Sequence, residues 1–133
     1  MADRLFSPEE VEALIPTLTA LVEQLRDAQA EMEAMRTRME QEDRRLTLVG
    51  GGVLDREMRR RERTRLEAAT KRAHGAIEGI HRTGGVPKDV ALGLVDFPHL
   101  RDGRIVNLCW KHGETRIRYW HGLDEGYTAR KPL

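Results

Sequence analysis

Nothing limits the fold of this chain more than one row of apolar residues in its first third. Val11, Leu14, Leu18, Leu21, Leu25, Ala28, Met32, Met35 and Met39 alternate spacings of three and four. That rhythm puts them on one stripe of a single helix over about four heptads. From Leu18 to Val49 no glycine or proline interrupts it. In "LFSPEEV", Ser7 is a suitable N-cap, Pro8 suits the first helical position, and Glu10 stands where a capping box returns its acceptor. Phe6 and Val11 occupy the two positions of a hydrophobic staple. These signals predict a helix from Pro8 to Arg45, on the order of 57 Å long at about 1.5 Å per residue. A small globular core does not cover such a length, so the helix needs a partner.

The following segment supplies one. "LTLVGGGVLD" breaks the rhythm with three glycines, and Asp55 offers a cap for a second helix over 55–82. Its apolar positions, Met58, Leu66, Ala69, Ala73, Ile77 and Ile80, are sparser, and alanine on a seam lets helices approach closely. Residues 8–45 hold ten acidic and five basic residues, whereas 55–72 hold eight basic and four acidic ones. Complementary flanks favour an antiparallel, coiled-coil-like hairpin, although each exposed ion pair contributes at most about 1 kcal/mol. The basic run from Arg56 to Arg72 has a second reading, a helix that tracks phosphates. Its interspersed glutamates favour a solvated flank, so nucleic acid is not the expected partner. His74, Glu78 and His81 fall at i, i+4 and i+7, a stripe of possible metal ligands on the second helix. The same spacing also describes the polar border of the seam formed by Ala73, Ile77 and Ile80.

Composition narrows the classes. Charged residues make up 34% and aromatics 5% of the 133 residues, so one domain with rationed apolar material is expected, elongated rather than round. A net charge of +1 gives no global attraction to nucleic acid or an anionic membrane. No apolar run is long enough to span a bilayer, and "MADRLFSPEE" lacks the apolar core of a signal peptide, so a cytoplasmic location is expected. Cys109 is the single cysteine and cannot form an internal disulfide.

After "HRTGGVPKD" the periodicity turns from helical to alternating. "VALGLVDFP", "RIVNLCW" and "TRIRYWH" read as three strands of an antiparallel meander over 86–121, with "LRDGR" as one turn and His112-Gly113 as the other. A tight second turn sets Trp110 opposite Thr115, Leu108 opposite Ile117, Val106 opposite Tyr119 and Arg104 opposite His121. Val106, Leu108, Trp110, Ile117 and Tyr119 then share a face that packs on the helices, while Ile105, Asn107, Cys109, Arg116, Arg118 and Trp120 take the other. Five of the six aromatics lie between Phe97 and Tyr127, so this sheet supplies most of the bulky core.

Core packing leaves a polar set unexplained. By the same alternation His121 joins the apolar face with Arg104 beside it, and Asp96 follows Leu92 and Leu94 towards the helices. A carboxylate beside a histidine fixes its tautomer and raises its pKa, which suits a general base, a metal half-site or a buried ion pair. Asp96, Arg104, Trp120, His121 and Arg130 are thus a candidate site for a small anionic ligand or a metal, alongside the plainer reading of a network anchoring the tail 122–133. Cys109 falls on the other face, so no nucleophile is at hand.

"GLVDFPHLRDGR", "LCWKHGE", "YWH" and "GYTARKPL" together resemble a bacterial family of unknown function, number 2203 among such domains, whose members are sometimes labelled division initiation proteins. The opening "LFSPEEVEALIPTL" is similar to that family's first helix. The residues that match its characteristic words are Asp96, Phe97, Pro98, Arg101, Asp102, Gly103, Trp110, Gly113, Glu114, Trp120, His121, Gly126 and Arg130, with Tyr127 where Phe is expected. The resemblance implies a cytoplasmic bacterial protein with a helical part and a small C-terminal sheet. It implies no particular activity.

The expectation is therefore an α+β domain, a helical hairpin followed by a three-stranded meander. Its first functional reading is a non-enzymatic interaction or scaffold protein without a cofactor. In that reading it forms a homodimer through the hairpin or docks an unidentified protein on seam positions such as Met32, Met35 and Met39. The second reading is the ligand or metal site just described, and the third is nucleic acid on the basic helix.

Overall fold

The computed structural model describes residues 4–48 and 56–133. Two helices precede a five-stranded antiparallel sheet in the order α1 (Pro8–Leu48), α2 (Arg56–Thr83), β1 (Val86–Asp89), β2 (Leu94–Arg101), β3 (Arg104–Lys111), β4 (Tyr119–His121), a 3-10 turn (Tyr127–Ala129) and β5 (Lys131–Pro132). The α+β class and both helices follow the expectation, with α1 three residues longer than predicted. The triple glycine and the Asp55 cap lie outside the described residues.

The start of α1 is built as its sequence dictates. The Ser7 backbone N–H donates to Glu10 Oε1 at 3.0 Å and the Glu10 N–H returns to Ser7 Oγ at 3.2 Å. Phe6 and Val11, the staple, are both buried. The two helices run antiparallel: Leu21 meets Gly79, Glu31 pairs with Arg72, and Asp43 pairs with Arg59. Ala69, Ala73 and Ala76 are buried along α2 and allow the close approach. At Gly79 the helices nearly touch, since a Cβ there would stand 2.7 Å from Leu21 Cδ2.

One core joins both helices to one face of the sheet. Phe6, Val11, Leu18, Val22, Leu25 and Ala28 meet Ala73, Ala76 and Ile80 and the sheet residues Val95, Phe97, Leu108 and Trp110. Val22, absent from the predicted stripe, is buried because α1 faces both α2 and the sheet. Phe6 and Phe97 pack edge to face with centroids 5.1 Å apart.

The sheet departs from expectation in its number of strands and in one pairing, while the predicted turn in "LRDGR" is present. It has five strands rather than three. β1 and β5 are short and lack alternation, because Pro87, Lys88, Lys131 and Pro132 give them no apolar face. The β2–β3 hairpin turns through Asp102 and Gly103, both at positive φ (50° and 77°), as a two-residue loop between paired Arg101 and Arg104 requires.

The β3–β4 connection is the larger correction. Asn107 rather than Arg104 lies opposite His121, and Leu108 lies opposite Trp120. The shift is three residues, an odd number, so every β4 side chain changes face. Residues 112–118 form a loop with work of its own. Trp110 Nε1–H donates to the Glu114 carbonyl at 2.9 Å, and the Lys111 N–H donates to Glu114 Oε1 at 2.7 Å. Ile117 sinks into the helical core, its N–H held by Glu12 Oε1 at 3.1 Å. A tight turn at His112-Gly113 leaves no chain for these contacts.

Candidate functional site

Alternation along β2, β3 and β4 defines the face turned away from the helices. Asp96 lies opposite Cys109 on the neighbouring strand, and His121 lies opposite Asn107, one diagonal step from Cys109. Three adjacent strands thus aim a carboxylate, a thiol and an imidazole at one point. The tail closes over them. Arg130 forms a two-pronged pair with the Glu114 carboxylate (3.0–3.2 Å) and lies over the rings of Tyr119 (4.1 Å) and Tyr127 (4.6 Å). The Tyr127 hydroxyl accepts from Lys111 Nζ at 3.4 Å. Under this cover Asp96, Cys109 and His121 are only 3%, 1% and 3% exposed.

The hydrogen bonds assign the protons. His121 Nδ1 lies 2.9 Å from the Gly122 carbonyl oxygen, which only accepts, so Nδ1 carries a hydrogen. Nε2 faces Asp96 Oδ2 at 2.9 Å, and one proton lies between them. Asp96 Oδ1, fully enclosed, has no hydrogen-bond partner among the described residues. Burial pushes the Asp96 carboxyl above its ordinary value, against the opposing pull of His121, the nearby Cys109 thiol and Lys88. Burial also drives the Cys109 thiol up to about 12, with Asp96 adding to the rise and Arg130 opposing it. Burial draws the Arg130 guanidinium down, but Glu114 more than offsets this and holds it above its usual value. Cys109 is therefore a protonated thiol at neutral pH and a poor nucleophile on its own.

Of the residues singled out from the sequence, Asp96 and His121 come together, with Arg130 beside them. They meet on the outer face, not the helix side. Cys109 joins them there, although the tight-turn register had set it apart. Two expectations separate it from the pair, the β3–β4 register and the placing of Asp96 towards the helices, where Val95 and Phe97 stand instead. Arg104 is exposed at the end of β3 opposite Arg101. Trp120 faces the helix side, packed partly on the core and flanked by Arg101 (4.9 Å) and Lys131 (4.7 Å). His74, Glu78 and His81 are exposed on α2, and Glu78 pairs with Arg82 at 3.5 Å. Among the described residues, the group whose ligand atoms all lie within 4.8 Å of one another is Asp96, Cys109 and His121.

A second feature lies at the other end of the molecule. Beyond Met35 on α1 and before Ala69 on α2, no described residue is buried. Residues 36–48 and 56–68 extend past the shared core as an arm of about 20 Å at the helical rise. Met39, Leu46 and Leu66 are half-buried there, while Met58 is exposed and Leu48 is 86% exposed. Ten arginines against six carboxylates give the arm a net charge of +4. Residues 8–33 of α1 hold seven carboxylates and one arginine.

No helix among the described residues is long and apolar enough to cross a membrane. No match is found among the curated proteins or the solved structures. The family described as "Uncharacterized conserved protein (DUF2203)" matches residues 4–133, essentially the whole sequence, and the chain belongs to it.

Proposed function

We propose that this chain is a non-enzymatic interaction module that works as an antiparallel homodimer, the arm of each copy lying along the acidic first half of α1 of the other. The observation that carries the reading is the arm itself, a thin apolar seam with a basic flank and, among the described residues, no third element over it. Two helices alone bury little of such a seam, and packing rather than propensity supplies most helical stability. The charges fit a second copy in this arrangement: +4 on the arm meets −6 on residues 8–33. Side-by-side pairing of two arms would instead set like charges together, and like charges across an interface select against that geometry.

Sedimentation equilibrium tests the reading. A dimer is expected that weakens as salt rises, and Arg60→Glu combined with Arg63→Glu, both exposed on one helical face, should shift it to monomer. A mass that stays monomeric at every concentration would sink the homodimer. The net positive arm also favours a polyanion as occupant. A salt-sensitive gel shift with duplex or single-stranded nucleic acid, lost in the same double variant, would give the arm to that partner instead.

A further inference from the structure

We propose that Asp96, Cys109 and His121 form a coordination site for a thiophilic divalent transition metal, zinc(II) foremost, bound through a carboxylate oxygen, the thiolate sulfur and imidazole Nε2. The inference is independent of the interaction reading, since the site lies on the outer face of the sheet and no residue of the arm contributes to it. Four observations converge on it. The three ligand atoms lie within 4.8 Å of one another. They come from three adjacent strands, so the hydrogen-bonded sheet fixes their separation rather than a flexible loop. His121 already donates Nδ1–H to the Gly122 carbonyl, the outer hydrogen bond that orients a metal-binding imidazole and leaves Nε2 for the ion. Asp96 Oδ1 is enclosed and, among the described residues, has no hydrogen-bond partner in ordinary geometry.

That last feature separates a metal site from an ion pair kept for stability. Buried polar atoms are nearly always satisfied, and a half-satisfied buried network is worse than an apolar core. An Asp–His pair that served packing alone would have both carboxylate oxygens bonded. Here one is bonded to His121, and the carboxylate has besides only the weak donor of the Cys109 thiol close by.

The donor set selects the ion. Sulfur and nitrogen disfavour magnesium and calcium, which take oxygen shells. One sulfur, one nitrogen and one oxygen suit zinc, and three protein ligands leave a fourth tetrahedral position for water. Charge balances as well. The ion replaces two protons, that of the Cys109 thiol and that shared by Asp96 and His121, so the site is neutral before and after binding. Arg130, next to the sulfur, brings its own counter-charge in Glu114 and does not repel the dication as a bare guanidinium would.

Titration of the full-length chain with cobalt(II) tests the assignment. Cys109 is the single cysteine, so a thiolate-to-cobalt charge-transfer band in the near ultraviolet reports this site in the unaltered protein, whether or not any variant folds. The band should saturate at one ion per chain and disappear when zinc is added. Because loss of an outer-sphere partner already weakens metal binding about 10- to 100-fold, Cys109→Ser should abolish the band, and His121→Ala should weaken binding by at least about 100-fold. Absence of the band at millimolar cobalt overturns the proposal. So does cobalt binding that survives Cys109→Ser unchanged, which would put the ion elsewhere, as on the exposed His74 and His81 of α2.

Discussion

The two faces of one sheet are packed by opposite rules. Towards the helices, Val95, Phe97, Leu108 and Trp110 meet an aliphatic core, and the single polar atom of Trp110 finds a carbonyl. On the reverse, equally shut off from solvent, lie a carboxylate, an imidazole and a thiol, with one carboxylate oxygen lacking an ordinary hydrogen-bond partner among the described residues. The inner face gains stability with every atom it buries. The outer face gives some back by taking charge out of water.

The largest expected effect belongs to the inner face. Trp110→Ala removes the biggest fully buried side chain and strands the Glu114 carbonyl, and should destabilise by about 5 kcal/mol in urea melts. A loss below about 2 kcal/mol would mean that the sheet is not the core of this molecule.

The outer face sharpens the contrast. His121→Ala leaves Asp96 buried without its counterpart and should cost about 3 to 5 kcal/mol, whereas replacing both residues together, Asp96→Leu with His121→Phe, should come close to neutral. If the double replacement is as damaging as the single one, the pair is structural after all and the contrast between the faces fails.

The smallest effect is one of pH. Burial pushes the Cys109 thiol up to about 12, so the folded, metal-free form retains a proton that the unfolded form releases. Stability from this group is intact below the ordinary thiol range and falls as pH rises towards 12, by roughly 3 kcal/mol at pH 11. Cys109→Ala should lose correspondingly less stability between pH 8 and pH 11. Equal losses in the two proteins would mean that Cys109 is not enclosed.

How much of this was readable from the sequence depended on how far each signal reached. The start of α1 rests on Phe6, Ser7, Pro8, Glu10 and Val11, all within six residues, and it stands as read. The seam of the hairpin repeats every three or four residues and was equally plain. The loop between β3 and β4 includes Ile117, buried in the helical core with its N–H held by Glu12 from 105 positions away. No local rule carries that contact, so a tight turn at His112-Gly113 looked sufficient and the odd-numbered shift went unseen. Asp96 and His121 were recognisable as a polar pair because both broke an apolar alternation. Cys109 broke nothing, and it meets them because the β3–β4 register turns His121 outward and because Val95 and Phe97, not Asp96, face the helices.

The outermost strands have a consequence for how copies of this protein can meet. β1 carries Pro87 and Lys88, with its register broken between Pro87 and Asp89, and β5 is only Lys131–Pro132. Proline offers no amide hydrogen, lysine resists desolvation, and a two-residue or kinked border gives an incoming strand little to zip onto. The sheet is therefore blunted along both margins against growth into a continuous ribbon of stacked molecules. At high concentration the protein should resist fibril formation through its sheet margins.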